Sequence, residues 1–238
     1  MATTVSLKEL VSAGAHFGHQ TRRWNPKMKQ YLYGSKEGVH IFDLTITKDK
    51  LEEALQVLKD ASKEGKSILL VGTKKQAKDK VKEVAKEAGI FYVSERWLGG
   101  TLTNFSQIKN SLRKLDELQK GLEEGEFKDR TKKERLLIRR EIDRLERFFG
   151  GLVGLDDKPD LLLIIDTRKE KTAAKEAINV GVETIGVVDS NADPTVVDYP
   201  IPMNDDASRA VEYVLDLFKE AILEGKGKKS KIKNQKLK

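Results

Sequence analysis

The side chains best suited to chemistry in this sequence are imidazoles and carboxylates. His16 and His19 stand three residues apart, with His40 further along. Asp166, Asp189, Asp193, Asp205 and Asp206 each follow apolar or irregular runs in the C-terminal half. Nitrogen and carboxylate oxygen donors can hold a divalent cation when three or four converge. His16, His19, Asp189 and Asp205 are the candidate ligands, for one divalent ion at most. A bland alternative assigns Asp193-Pro194 to a turn, Asp205 or Asp206 to a helix N-cap, and the histidines to local packing. Val71-Gly72-Thr73-Lys74 has a glycine turn and a lysine entering a helix, which can seat a phosphate but is too short to specify a nucleotide. There is no Gly-x-Gly-x-x-Gly, no Walker loop, no nucleophile elbow and no cysteine. A catalytic set is therefore not expected, and no cofactor is required.

A second chemistry is more conspicuous. Arg22, Arg23, Trp24, Asn25, Lys27, Lys29 and Lys36 fall in a stretch, residues 16–36, that holds no Asp or Glu. Arg96, Trp97, Gly99, Gly100, Thr101, Thr103 and Asn104 form a second cluster around the other tryptophan. Arg and Lys contact phosphates, aromatic rings stack on unpaired bases, and Asn reads base edges. Paired glycines let backbone amides approach a phosphate. Each tryptophan alone could be core packing. Two irregular Arg-Trp segments together favour RNA.

These residues need a scaffold. Residues 6–15 suggest a short helix, and 47–62 an amphipathic one. Tyr31-Leu32-Tyr33 and Val39-His40-Ile41-Phe42 flank a five-residue glycine-bounded loop, a hairpin signal. No period is visible from residue 16 to 29. Apolar strands at 67–71, 90–93, 161–165 and 184–188 alternate with helices at 74–88, 171–179 and 207–223. That pattern predicts a parallel sheet covered on both faces. Tyr199-Pro200-Ile201-Pro202 is restricted to an edge by its prolines. Residues 105–149 break the alternation with two polar helices whose narrow apolar stripes predict an inserted antiparallel coiled-coil hairpin. A projecting charged hairpin buries little, which points to a partner. The expected organisation is one α/β domain from 1–104 and 150–224, the hairpin at 105–149, and a tail at 225–238.

Length and charge agree. At 238 residues the chain can bury a large core. Its net charge of +7 resides in the tail, which has seven lysines and no acid; the preceding residues balance at 38 of each sign. That tail is expected to be disordered and to meet phosphates. Residues 105–150 carry 13 bases against 10 acids. No apolar run approaches membrane length and no secretory leader is evident, so the cytoplasm is the expected location.

The residues now show a resemblance. His16-Phe17-Gly18-His19-Gln20-Thr21 with Arg23-Trp24-Asn25-Pro26-Lys27-Met28 resembles the N-terminal signature of the S-two family of small-subunit ribosomal proteins. Gly38-Val39-His40-Ile41-Phe42-Asp43-Leu44, Glu95-Arg96-Trp97-Leu98-Gly99-Gly100-Thr101-Leu102-Thr103-Asn104, Val188-Asp189-Ser190-Asn191-Ala192-Asp193-Pro194 and Ile201-Pro202-Met203-Asn204-Asp205-Asp206-Ala207 follow in order. The resemblance spans residues 5–224 and is similar to the bacterial form. It implies a flavodoxin-like three-layer α/β/α fold with an inserted coiled-coil hairpin. It further implies a structural role in the small ribosomal subunit, contact with small-subunit rRNA and neighbouring proteins, and help in recruiting ribosomal protein S-one. No membrane and no small-molecule substrate is implied. The alternative is a nucleotide- or phosphate-binding enzyme on the same fold, since architecture alone does not decide function.

Overall fold

A computed structural model describes residues 4–227. The expectation for the lysine tail falls largely outside these residues. Helix α1 (Leu7–Ser12) is N-capped by Ser6, whose hydroxyl accepts from the Glu9 amide. Strands β1 (Phe17–Gln20), β2 (Leu32–Lys36) and β3 (Val39–Phe42) form a small antiparallel sheet in the order β1-β3-β2. The hairpin is tighter than the expected five-residue loop. β2 continues to Lys36, and Glu37 and Gly38 turn the chain with φ of 53° and 77°. Two positive-φ residues give a turn whose twist matches that of paired strands. β1 was not legible in the sequence. It is held by tertiary contact: the His19 amide donates to the Ser190 hydroxyl, and a Cβ at Gly18 would sit 2.8 Å from that oxygen.

The chain then builds α2 (Leu44–Lys63), β4 (Ile68–Val71), α3 (Lys78–Ala88), β5 (Phe91–Val93), α4 (Phe105–Glu124), α5 (Lys132–Phe149), β6 (Leu161–Ile165), α6 (Lys171–Val180), β7 (Glu183–Val188), β8 (Tyr199–Pro202) and α7 (Ser208–Gly225). The larger sheet runs β5-β4-β6-β7-β8, with every neighbouring pair parallel. This is the flavodoxin-like order, and its direction of winding reverses between β4 and β6. β8 is an edge strand, where its two prolines forfeit the fewest ladder bonds.

Side-chain alternation divides the core into two. Ile68, Leu70, Leu161, Leu163 and Ile165 face α2, α3 and α7. Leu69, Val71, Leu162 and Ile164 face α6 and the base of the helical pair α4–α5. The three layers follow from strands that are apolar on both faces. Ile108 and Leu115 of α4 meet Ile142, Leu145 and Phe149 of α5 in that second core. Lys114 pairs with Glu141 across the two helices at 2.8 Å. Helix α3 begins at Lys78 rather than Lys74. The residues between form turns that release Lys74 towards the C-terminal ends of the strands. Among the described residues, no helix is long and apolar enough to cross a membrane.

Candidate functional site

The first basic segment folds as two short 3-10 turns, Thr21–Arg23 and Pro26–Tyr31. Asn25 fixes the second. Its side chain accepts from the Lys27 amide at 3.0 Å, and its own amide donates to the Ser190 carbonyl at 2.8 Å. Arg22, Arg23, Lys27, Lys29 and Lys36 are all exposed. They are not equally available. Lys27 donates to Asp193 at 2.7 Å and to Thr195 at 3.0 Å, so its charge is already balanced. Arg22 donates to Gln20. Arg23, Lys29 and Lys36 have no acidic partner among the described residues. Trp24 is half-buried and lies 4.9 Å from the His40 ring, which leaves its indole only partly free to stack. Lys27, Lys29, Gln30 and Thr195 line an open groove of about 680 Å³ beside this face.

The second cluster behaves differently. Trp97 is buried, Thr101 is buried, and both face inwards. Glu176 of α6 organises the segment. One carboxylate oxygen accepts from Trp97 Nε1 at 3.2 Å and from the Gly100 amide at 2.8 Å. The other accepts from the amides of Leu102 and Thr103 at 2.9 and 3.2 Å, and from the Thr103 hydroxyl. Burial opposes the charge, but these donors outweigh it and hold the carboxyl below its ordinary range. The sequence expected Trp97 and the Gly100 amide to face a nucleic acid. Both are instead committed to a buried carboxylate, because a desolvated anion takes every donor in reach. Arg96, Gly99, Thr103 and Asn104 remain on the surface. Sequence reasoning missed Glu176, although a signal existed: it shares a helical face with Ala173, Ala177 and Val180, where an acid has no solvent.

The candidate metal ligands converge only in part, at the C-terminal ends of the strands. His19 Nδ1 lies 2.9 Å from Asp189 and its Nε2 lies 3.5 Å from Asp206. One donor atom from each of these three residues falls within 4.8 Å of the others. His16 stands apart. Its ring rests 4.0 Å from that of Phe17, and its Nδ1 is buried without a hydrogen-bond partner among the described residues. Asp205 is occupied by Lys74, whose ammonium lies 2.6 Å from Asp205, 2.6 Å from Asp206 and 3.2 Å from Asp166. Neither Asp205 nor Asp206 caps α7. Its N-cap residue is Ala207, which offers no side-chain acceptor, and Asn204 instead holds the turn before the helix by accepting from the amides of Asp206 and Ala207. The Asp193 turn forms as expected, its carboxylate accepting from the Thr195 amide.

Electrostatics in this crevice are internally balanced. Burial pushes the Asp205 carboxyl up to about 8, helped by Asp189 and Asp166. Burial works against the Lys74 ammonium, yet the surrounding aspartates raise it well above the ordinary lysine range. The hydrogen bond to Asp189 raises the His19 imidazole, which favours the charged form. The crevice, about 380 Å³, lies at the point where the sheet reverses its winding, as ligand crevices of this fold do. Here, however, Lys74 spends its charge on aspartates, so the Gly72-Thr73-Lys74 turn offers a phosphate little.

Comparison with known proteins agrees with the order of the motifs. The family model described as ribosomal protein S2 matches residues 10–225. A small ribosomal subunit protein uS2 from Coprothermobacter proteolyticus is 46% identical over 222 residues, covering 93% of this chain and 83% of that protein. With the fold, the ordered signatures and both matches in agreement, the chain belongs to the ribosomal protein S2 family.

Proposed function

We propose that this chain binds small-subunit rRNA chiefly through the exposed face carrying Arg22, Arg23, Lys29 and Lys36. Family membership makes it a structural component of the small ribosomal subunit and not an enzyme. The observation that carries the RNA contact is the unpaired state of Arg23, Lys29 and Lys36 on a segment with no acid of its own. Unpaired surface cations bind phosphates by releasing counterions, and binding of this kind weakens steeply with salt. Trp24 supports the face by packing on His40, and the exposed Arg96 and Asn104 are further candidate contacts. Neighbouring small-subunit proteins are the other partners. Recruitment of ribosomal protein S-one is the finer role that the resemblance adds.

The test is incorporation of tagged protein into small subunits, followed by sucrose-gradient sedimentation at low and high salt. Replacing Arg22, Arg23, Lys29 and Lys36 together by Ala should reduce co-sedimentation most at high salt and leave the fold intact. Full incorporation of that variant at high salt would remove the assignment. We also propose that any bound divalent ion sits between His19, Asp189 and Asp206, not on the His16 and Asp205 positions. One nitrogen and two carboxylate oxygens form a donor set that zinc accepts. Equilibrium dialysis with zinc should show binding that Asp206→Asn weakens and His16→Ala does not.

A further inference from the structure

The segment that carries Arg22 and Arg23 has little of its own to hold it. β1 ends at Gln20, and among the described residues the 3-10 turn Thr21–Arg23 receives no side-chain cap. β1 is an edge of the small sheet, and its pairing with β3 is irregular between Phe17 and Gln20. Such a break leaves backbone groups outside the ladder. Apart from that ladder, and among the described residues, the amides of residues 19–25 reach the rest of the fold at His19, Thr21 and Asn25. Thr21 donates to the Gly38 carbonyl in the turn between β2 and β3. The other two bonds end on one residue. The His19 amide donates to the Ser190 hydroxyl at 2.7 Å, and the Asn25 amide donates to the Ser190 carbonyl at 2.8 Å. Both arginines lie between these two pins.

Ser190 is itself firmly placed. It is 0% exposed and stands just beyond β7, which lies inside the parallel sheet between β6 and β8. Its amide donates to Asp189 Oδ1, and its hydroxyl donates to the same oxygen at 2.9 Å. A hydroxyl has one proton and two lone pairs. With the proton given to Asp189, the lone pairs are left for the His19 amide. Gly18 lets β1 come this close, since a Cβ there would sit 2.8 Å from Ser190 Oγ. The cations so held have no acid in their own stretch, residues 16–36, and like charges repel. A segment of this kind left loose must be ordered when phosphate binds, and affinity falls by the fraction of chains not already in the competent arrangement.

We infer that Ser190 is a positioning residue for the rRNA face. Buried and out of reach of any phosphate, it seats residues 19–25 so that Arg22 and Arg23 are presented in a fixed arrangement before RNA arrives. This role rests on the rRNA-binding reading above and deepens it.

The test is Ser190→Ala in the full chain, bound to protein-free small-subunit rRNA across a salt series, at a temperature where circular dichroism shows the variant folded. The lost hydrogen bond releases the first pin, and affinity should fall about 3- to 10-fold at every salt concentration. The slope of log affinity against log salt should stay as in wild type, because every cation is still present to meet its phosphate. Amide exchange at His19 and Asn25 of the free protein should accelerate. A role in global stability alone would leave binding by the folded protein unchanged. Gly18→Ala pushes β1 off an intact Ser190 and should give the same loss at the same slope; it carries the test if Ser190→Ala does not fold. Wild-type affinity in the folded variant would overturn the proposal. So would a slope that falls by about 0.7 or more, which marks a lost phosphate contact. If the variant with Ala at Arg22, Arg23, Lys29 and Lys36 loses affinity while Ser190→Ala binds as wild type, only the positioning role falls. If both bind as wild type, the rRNA reading falls with it.

Discussion

Glu176 offers the sharpest test of how the second signature segment is held. Glu176→Gln preserves volume but exchanges one acceptor oxygen for an NH2 donor. The amide oxygen can best replace the oxygen that serves the Leu102 and Thr103 amides. The NH2 group then faces Trp97 Nε1 and the Gly100 amide, both donors. Trp97 is 7% exposed, so its N–H has little access to water. A buried donor left without an acceptor costs about 1–3 kcal/mol, and a hydrogen bond to a charged group contributes about 1.5–3 kcal/mol. Gly100 is partly exposed and recovers some of its loss through solvent. The expected destabilisation is therefore about 3 kcal/mol at neutral pH, a large share of the 5–15 kcal/mol typical of a folded protein.

Urea denaturation monitored by tryptophan fluorescence would measure it, with amide hydrogen exchange at Gly100, Leu102 and Thr103 as the local readout. The pH dependence supplies a second check. The Glu176 carboxyl is lowered in the folded state, so its contribution is fully present above the ordinary carboxylate range and is lost as pH falls through the folded value. The gap between wild type and Glu176→Gln should therefore narrow as pH falls below the ordinary carboxylate range and close once it passes the lowered folded value. A loss under about 1 kcal/mol at pH 7, with exchange protection at Leu102 intact, would refute the claim that this carboxylate holds the segment.

Two further outcomes concern the crevice and the small sheet. Lys74→Met should destabilise the fold by about 1–3 kcal/mol, because Asp166 and Asp205 lose their shared donor while Asp205, which burial pushes up to about 8, can take a proton in place of the lost cation; thermal or urea unfolding at pH 7 measures it. Gly18→Ala should cost about 1–3 kcal/mol by overpacking, since its Cβ would meet Ser190 Oγ at 2.8 Å and the His40 carbonyl at 3.2 Å. The same unfolding assay applies, and a neutral result would mean β1 can shift away from Ser190.

The layers of this protein are legible because their causes are local. Leu161 to Ile165 are apolar at every position and buried at every position, so the strand and its central place follow from the run itself. Gly89 closes α3 in the left-handed conformation where its sequence position predicts it. The apolar stripes of α4 and α5 mark the faces that meet only near the sheet, where Ile108, Leu115, Ile142 and Leu145 are buried; Leu136 and Leu137 at the start of α5 are exposed. The functional residues are harder because their orientation is set by partners remote in sequence. Arg96-Trp97 and Arg23-Trp24 look alike on the page. Trp97 turns inwards because Glu176, 79 residues later, needs its donor, whereas Trp24 stops half-buried because His40 covers only part of its ring.

The same logic explains Lys27 and Lys74. Each reads as a free cation within its own segment, and each is claimed by acids that the fold delivers from afar. Asp193 lies 166 residues from Lys27, and Asp205 lies 131 from Lys74. Residue type therefore identified where charge was concentrated, while topology decided which charges were left over for a partner. Arg23, Lys29 and Lys36 are among the exposed cations that this pairing leaves without an acidic partner in the described residues. An unpaired cation on a rigid element costs the free protein self-repulsion and contributes affinity only when phosphate arrives. The residues that stabilise this fold and those that bind its partner are thus largely different members of the same basic population, and substitutions in the two groups should separate loss of stability from loss of binding.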